Sequence, residues 1–156
     1  MESTNRRVYK GKLPEELEMD ESDKIPKLSG LAKLIGIKLD SFGNGNCKVT
    51  ARVSDSHLNA GGVAHGGLHA TMLDTALGGA LVSMIEKEEW CATTQLDISY
   101  INPAYSGTDL IAHGEVIRRG KNIAHCEGIL TDYDGKIIAS GKGTWVIWNE
   151  KPSSLI

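Results

Sequence analysis

The fold is decided by residues 66–87, GGLHATMLDTALGGALVSMIEK. Apolar side chains recur there at steps of three and four residues, the spacing of one helical face. They are Ala70, Leu73, Leu77, Ala80, Leu81 and Met84. The segment is apolar on nearly every side until its charged end, Glu86 to Glu89, so we predict a long helix that other elements must wrap.

The sequence on both sides of this helix predicts strands. Before it, IGIKLDSF (35–42) and NCKVTARVS (46–54) alternate apolar and polar residues around Gly43-Asn44-Gly45, a pattern typical of a β-hairpin. After it come TTQLDISYI (93–101), DLIAHGEVIRR (109–119), IAHCEGILTDYD (123–134) and KIIASGKGTWVIWN (136–149), which we interpret as a four-stranded meander. The predicted fold class is therefore α+β, an antiparallel sheet curled around one long central helix.

Composition limits the chain to one domain and argues against several functions. With 156 residues, 40% of them hydrophobic, one globular domain is expected. Lys and Arg number 17 against 20 Asp and Glu, a net charge of -3, which is not typical of a nucleic-acid-binding protein. No apolar run is long enough to span a membrane and the N-terminus has no signal-peptide core, so we expect a cytoplasmic protein without a membrane partner.

The distribution of charged and apolar residues also predicts the boundaries of the domain. Residues 1–27 are dense in charge and are predicted to form a solvated arm, residues 28–150 the single domain, and residues 151–156 a short tail. A short amphipathic helix is expected to begin the domain and to end before Gly36. Its apolar face is predicted to contain Leu28, Leu31, Leu34 and Ile35.

Neither the cysteines nor the histidines form a pattern typical of a metal site. Cys47, Cys91 and Cys126 are far apart and contain no C-x-x-C pair, so we predict reduced, mostly buried thiols. His65 and His69 are four residues apart, but no glutamate lies between them as in H-E-x-x-H sites. We therefore expect no metal.

Two features suggest chemistry. Asp74 lies on or beside the apolar stripe of the helix, where an unpaired carboxylate is costly to bury. It is either hydrogen-bonded to Thr71 or a nearby strand, or it is a general base or nucleophile. The loop NAGGVAHGG (59–67) exposes amide N–H groups at the positive end of the helix dipole. These amides suit a phosphate or an oxyanion, but the lysine of a phosphate loop is missing, and a simple tight turn is the alternative.

Residues 65–81, HGGLHATMLDTALGGAL, with Asn59 before them and the strand pattern after them, resemble the hotdog-fold acyl-CoA thioesterases of the phenylacetate-degradation type. The resemblance covers about residues 34–148. It implies the hotdog fold and hydrolysis of an acyl-CoA, with coenzyme A as part of the substrate and no separate cofactor. It leaves the acyl group open, because a fold fixes the reaction type better than the substrate.

The resemblance also implies roles for individual residues. Asp74 would be the base or nucleophile, the N–H of Gly66 would polarise the thioester carbonyl, and Asn59 would position the water or the acyl group. Thr93, or the adjacent Thr94, would be the hydroxyl residue of the next strand. His65 would hold the shape of the loop, and the neighbouring Gly67 would contact substrate.

Helix geometry adds a prediction about assembly. Gly66 and Asp74 are eight residues apart, which is about 12 Å along one helix, so they cannot flank the same carbonyl carbon. If both act on one thioester they come from two chains, which requires an isologous homodimer with antiparallel helices. The family resemblance suggests that such dimers pair into tetramers.

Coenzyme A binding is predicted from charge alone. Arg118, Arg119 and Lys121, with Lys142 nearby, could contact the nucleotide phosphates, although they could equally be solvated turn residues. Two other functions stay open: a hydratase or dehydratase on the same fold, and an acyl-CoA sensor without catalysis.

Overall fold

A computed structural model describes residue 28 and residues 30–155, so the predicted arm 1–27 lies outside the described residues. In chain order the elements are α1 (Gly30–Leu34), β1 (Lys38–Gly43), β2 (Asn46–Arg52), α2 (Gly66–Val82), β3 (Trp90–Tyr100), β4 (Asp109–Arg119), β5 (Ile123–Asp132) and β6 (Ile137–Trp148). Short 3₁₀ turns follow β2 and β6. All six strands belong to one antiparallel sheet that packs around α2, which confirms the predicted fold class.

The first two strands form the predicted hairpin. Gly43 pairs with Asn46 across the turn. Asn44 has a φ of 51° and Gly45 a φ of 75°, the two positive values that a type I′ turn requires.

The prediction of a four-stranded meander was wrong. The strand order is β1-β2-β4-β5-β6-β3, so β3 lies at the far edge against β6 while β4 pairs with β2. The reason is the path of the chain: α2 crosses one face of the sheet and delivers β3 to the opposite edge. Alternation within a strand identifies the strand but carries no information about its neighbours.

The central helix is shorter at its C-terminus than predicted, because it ends at Val82 and not at Lys87. The Ser83 hydroxyl donates to the Ala80 carbonyl at 2.7 Å and accepts from the Gly45 N–H at 2.8 Å. Ser83 thereby ends the helix and ties it to the hairpin turn. Met84, predicted to continue the apolar stripe, is 44% exposed.

The short helix α1 has a different buried face from the one predicted. Leu31 is 58% exposed and Leu34 is 83% exposed, whereas Leu28, Ala32 and Ile35 pack against the core. With only five residues, α1 is oriented by the chain that enters and leaves it and not by its own apolar stripe. Gly36 ends the helix as predicted, at a φ of 72°.

Three glycines of the sheet, which we call the glycine row, lie on the face that packs against α2: Gly114 on β4, Gly128 on β5 and Gly141 on β6. They face one another in register across the three strands. A Cβ on Gly114 would lie 2.6 Å from the backbone of Ala76 in α2. The side chains of α2 that fill the core beside this row are fully buried; they are Met72, Leu73, Ala76, Leu77, Ala80 and Leu81.

Among the residues that the structure describes, no helix is both long enough and apolar enough to span a membrane.

Candidate active site

The loop before α2 is held by His65, the N-cap residue of the helix. His65 has an extended backbone, with φ −62° and ψ 137°, and its Nδ1 accepts a hydrogen bond from the Gly67 N–H at 2.8 Å. Its own N–H donates to the His57 carbonyl, also at 2.8 Å. The side chain is thus engaged in capping, as expected of a residue that fixes the shape of the loop.

Gly66 presents the free amide of this helix terminus. It is the first residue of α2, and within the described chain no group accepts a hydrogen bond from its N–H. The neighbouring Gly67 N–H is already bonded to His65. The Gly66 N–H is therefore available to a ligand at the positive end of the helix dipole.

A cavity of about 330 Å³ lies at this amide. Its lining residues are Asn59, Val63, Ala64, Gly66, His69, Tyr100, Ile101, Asn102 and Pro103. Asn59 is a structural as well as a lining residue, because its Oδ1 accepts from the Gly61 N–H at 2.8 Å and closes the loop. The cavity combines mostly apolar walls with a small number of polar groups, as ligand sites commonly do.

Asp74 is half-buried in the middle of α2 and is paired with the sheet. The Thr93 hydroxyl donates to its Oδ1 at 2.8 Å. Thr71, the other partner considered from the sequence, instead donates to the Gly67 carbonyl. The carboxylate therefore has one oxygen held by Thr93, while its second oxygen has no donor among the described residues.

A β-bulge separates the roles of the two adjacent threonines. The pairing of β3 with β6 shifts between Thr93 and Gln95. Thr93 consequently faces Asp74, whereas the Thr94 hydroxyl donates to the Thr144 carbonyl at 2.9 Å. Simple alternation could not have chosen between them, because a bulge interrupts it.

The two halves of the predicted site stay apart within one chain. Gly66 and Asp74 are separated by eight residues of continuous helix, a rise of about 12 Å. The cavity at Gly66 is lined by neither Asp74 nor Thr93. One chain therefore carries an amide half and a carboxylate half that do not meet.

Of the basic residues predicted to bind phosphates, one is already engaged. Arg119 Nη2 donates to both carboxylate oxygens of Glu89, at 2.5 and 2.6 Å. This hydrogen bonding holds the pKa of Glu89 below its ordinary value. Arg118 and Lys121 are exposed. The exposed Lys142 lies in register with two acidic residues, Asp97 and Glu127.

The cysteines are poor nucleophiles. Cys47, Cys91 and Cys126 are free thiols. Burial raises the pKa of Cys47 to about 11 and, with a smaller contribution from Cys91, that of Cys126 to about 12. Burial also raises the pKa of Cys91, which is half-buried. Because the thiolate is the reactive form, the raised pKa values disfavour nucleophilic chemistry at these side chains.

Sequence reasoning missed His69. It is 4% exposed, and among the residues that the structure describes it is the one buried polar side chain. Its burial could have been found from its spacing, because Met72, Leu73 and Ala76 follow at three, four and seven residues and are all buried.

A long central helix wrapped by a six-stranded antiparallel sheet is the arrangement of the hotdog fold. The chain belongs to the thioesterase superfamily, whose model matches residues 61–139. This match confirms the resemblance to thioesterases that was inferred from residues 65–81.

Relatives and solved structures agree with this assignment. Acyl-coenzyme A thioesterase 13 from Homo sapiens is 32% identical over 122 residues, which are 77% of this chain and 86% of that protein. The E. coli PaaI protein from the phenylacetic acid degradation operon superimposes with a TM-score of 0.69 at 26% identity, over 74% of this chain and 81% of that one. A hypothetical thioesterase protein from Streptococcus pneumoniae TIGR4, solved with coenzyme A, shares the fold with a TM-score of 0.69 at 23% identity, over 75% of this chain and 89% of that one.

Proposed function

We propose that the protein hydrolyses acyl-CoA thioesters to the free acid and coenzyme A. The observation that carries this proposal is the Gly66 N–H, a helix-terminal amide without an acceptor that opens into a cavity. An amide in this position is suited to the oxyanion that forms when a thioester carbonyl is attacked. The names of the relatives support the same reaction.

In the proposed reaction, a water oxygen bonds to the thioester carbonyl carbon and one of its protons passes to Asp74. The carbonyl electron pair moves onto oxygen, where the Gly66 N–H stabilises it. When that pair returns, the carbon–sulfur bond breaks and the leaving thiolate takes the proton from Asp74. The products are R–COOH and CoA–SH.

Asp74 has a second possible role, because its carboxylate could attack the carbonyl carbon directly. The intermediate would be a mixed anhydride, which water would then hydrolyse. In H₂¹⁸O, a general base leaves the label in the product acid. A nucleophile leaves it there too if water attacks the acyl carbon of the anhydride, but leaves it in the Asp74 carboxylate if water attacks the aspartyl carbon. Labelled Asp74 after a single turnover therefore establishes the nucleophile. Where only the product is labelled, rapid-quench mass spectrometry decides, because a nucleophile gives Asp74 that carries the acyl group and a general base does not.

We further propose that the active unit is an isologous dimer in which Gly66 of one chain faces Asp74 of the other. The strand β3 supports this arrangement, because it is an 11-residue strand at the edge of the sheet. Such a long edge has unpaired N–H and C=O groups, which proteins normally cover. Its ends also expose large apolar side chains, with Trp90 at 41% and Tyr100 at 57%. A two-fold axis at this edge would cover both features.

Mixed dimers test the shared site. We expect Gly66→Pro and Asp74→Ala chains to be inactive alone, and a mixture refolded together to recover activity. A random mixture of dimers is about one-half heterodimer, and each heterodimer has one intact site, so about one quarter of wild-type activity should return. A mixture that stays inactive, although light scattering shows dimers, would exclude the shared site.

For the nucleotide portion of coenzyme A, we propose Arg118 and Lys121 as phosphate contacts. Both are exposed at the turn between β4 and β5, and neither forms an ion pair with a described residue. Reversing both charges to Glu should raise KM by about tenfold and leave kcat nearly unchanged. Lys142→Glu is the matched control on the sheet face. An unchanged KM in the double variant would show that these two residues do not contact the phosphates.

The reaction itself is tested by thiol release from phenylacetyl-, benzoyl-, hexanoyl- and palmitoyl-CoA. Wild-type turnover that Asp74→Ala abolishes would support the thioesterase. If coenzyme A ligands raise Tm without thiol release, the protein is a sensor. Consumption of an enoyl-CoA without thiol release would identify a hydratase.

A reducing compartment is the proposed location, because the three cysteines of the chain are all free. This is consistent with the cytoplasm. Microscopy of a tagged chain tests it, and a secreted chain would contradict it.

A further inference from the structure

The cavity at Gly66 contains a polar group that the proposed reaction does not use. His69 lies one helical turn after Gly66 and lines the same cavity. It is 4% exposed, and neither Nδ1 nor Nε2 has a hydrogen-bond partner. A buried polar atom without a partner costs free energy that a ligand can recover by bonding to it.

The protonation state of the ring defines which ligand groups it can bind. Burial, and secondarily the electrostatic effect of His65, lower the pKa of His69 below its ordinary value. The ring is therefore neutral near pH 7 and presents one N–H donor and one nitrogen acceptor. A hydroxyl group can use either nitrogen, and a keto oxygen can accept from the donor.

The surroundings of His69 indicate where on a substrate such a group would lie. Val63, Ile101 and Pro103 make the other walls largely apolar. The outer wall is Tyr100, whose ring centroid is 6.0 Å from that of His69 and whose hydroxyl donates to the Gly66 carbonyl at 3.3 Å. A ligand that bonds to the imidazole displaces this ring. The rise from Gly66 to His69 is about 4.5 Å, which corresponds to a few bonds beyond a carbonyl held by the Gly66 N–H.

We propose that His69 is a specificity-determining residue that selects acyl groups with a hydrogen-bonding oxygen at or near C3. The acyl chain lies against the apolar walls, and its C3 hydroxyl or keto oxygen bonds to the imidazole. This inference rests on the proposed function, because the Gly66 amide anchors the carbonyl from which the position of C3 is measured.

The test compares two acyl groups of nearly equal shape. 3-Hydroxybutyryl-CoA and 3-methylbutyryl-CoA differ by a hydroxyl in place of a methyl group at C3. We expect wild-type kcat/KM to be about tenfold higher for the hydroxy compound, which is the factor expected from one additional buried hydrogen bond. Acetoacetyl-CoA, with a keto oxygen at C3, shows whether the ring acts as donor.

Variants attribute the preference to the imidazole. In His69→Leu the ratio of the two kcat/KM values should fall to about one, and in His69→Gln, which retains a donor and an acceptor, part of the preference should return. His113→Leu is the matched control, because His113 lies on the outer face of β4 and is bonded to Asn46. It should keep the wild-type ratio.

Equal wild-type kcat/KM for the two isosteres, with clear thiol release from both, would overturn the role of His69 and leave the thioesterase intact. No thiol release from any acyl-CoA would overturn the proposed function and this inference with it. If His69→Leu does not fold, the wild-type ratio and His69→Gln still decide the question.

Discussion

Replacing Gly66 by proline removes one amide hydrogen from α2 and leaves a backbone that proline can adopt. Gly66 is the first residue of the helix, the position where proline is best tolerated. The residue before it, His65, is already extended, as a residue before proline must be. No intrahelical hydrogen bond is lost, because the first N–H of a helix has no partner within it.

The expected effect is that of removing one oxyanion donor. Losses of this kind lower kcat by about 10²- to 10³-fold, or roughly 3 to 4 kcal/mol of transition-state stabilisation. A Cβ at this position would also lie 3.1 Å from Cε1 of Tyr100. Gly66→Ala is therefore the matched control, because it introduces the same contact and keeps the N–H.

The assay is thiol release at saturating acyl-CoA, with Tm measured for each variant. We expect Gly66→Ala to retain most of the wild-type kcat and Gly66→Pro to be at least about 100-fold slower than the alanine variant. If the two variants are equally active, or equally slow with unchanged Tm, the amide of Gly66 is not the oxyanion donor and the reasoning is refuted.

Three further predictions concern the carboxylate, an ion pair and the glycine row. Thr93→Val should lower kcat by about tenfold because the hydroxyl that orients Asp74, the proposed base, is lost, whereas Thr94→Val should stay within about twofold; equal losses would refute this assignment. The hydrogen bonds from Arg119 lower the pKa of Glu89 in the folded protein. Ionised Glu89 therefore stabilises the fold fully above its unfolded-state pKa of about 4.3. This stabilisation is lost as the pH falls through the folded-state pKa. Wild-type Tm should therefore decrease more steeply below about pH 5 than that of Glu89→Gln, and parallel curves would contradict this. Gly114→Ala should destabilise the fold by about 3 kcal/mol in urea, because its Cβ would meet helix backbone; Gly78→Ala, within the helix and with ordinary contacts, should not destabilise it.

The helix and all six strands could be predicted from apolar periodicity, because each pattern is local. The order of the strands could not. The hairpin turn at Asn44 and Gly45 is encoded by residues that tolerate positive φ, whereas the position of β3 depends on where α2 delivers the chain. The prediction of which face of α1 is buried was also wrong, because a helix of five residues is too short for its apolar periodicity to determine its orientation.

The same distinction applies to the site. The exposed amides at Gly66 and Gly67 could be predicted because they begin a helix, whereas the role of His65 came from the family resemblance. The choice of Thr93 over Thr94 needed the bulge in β3, which depends on pairing with β6. His69 was missed because the sequence allowed it to be considered only as a metal ligand. The three-dimensional packing is needed to show that its ring is buried and that neither ring nitrogen has a hydrogen-bond partner.

The glycine row has a consequence for how this enzyme can diversify. At Gly114 the sheet meets backbone atoms of Ala76 in α2, whereas at Gly128 and Gly141 it meets the buried side chains of Leu77 and Leu73. The backbone contact at position 114 therefore fixes the height of the helix at one point, while the two leucines fill the remaining space. Position 69 lies two helical turns before that contact, so it can change and alter which acyl group fits while α2 stays seated on the sheet.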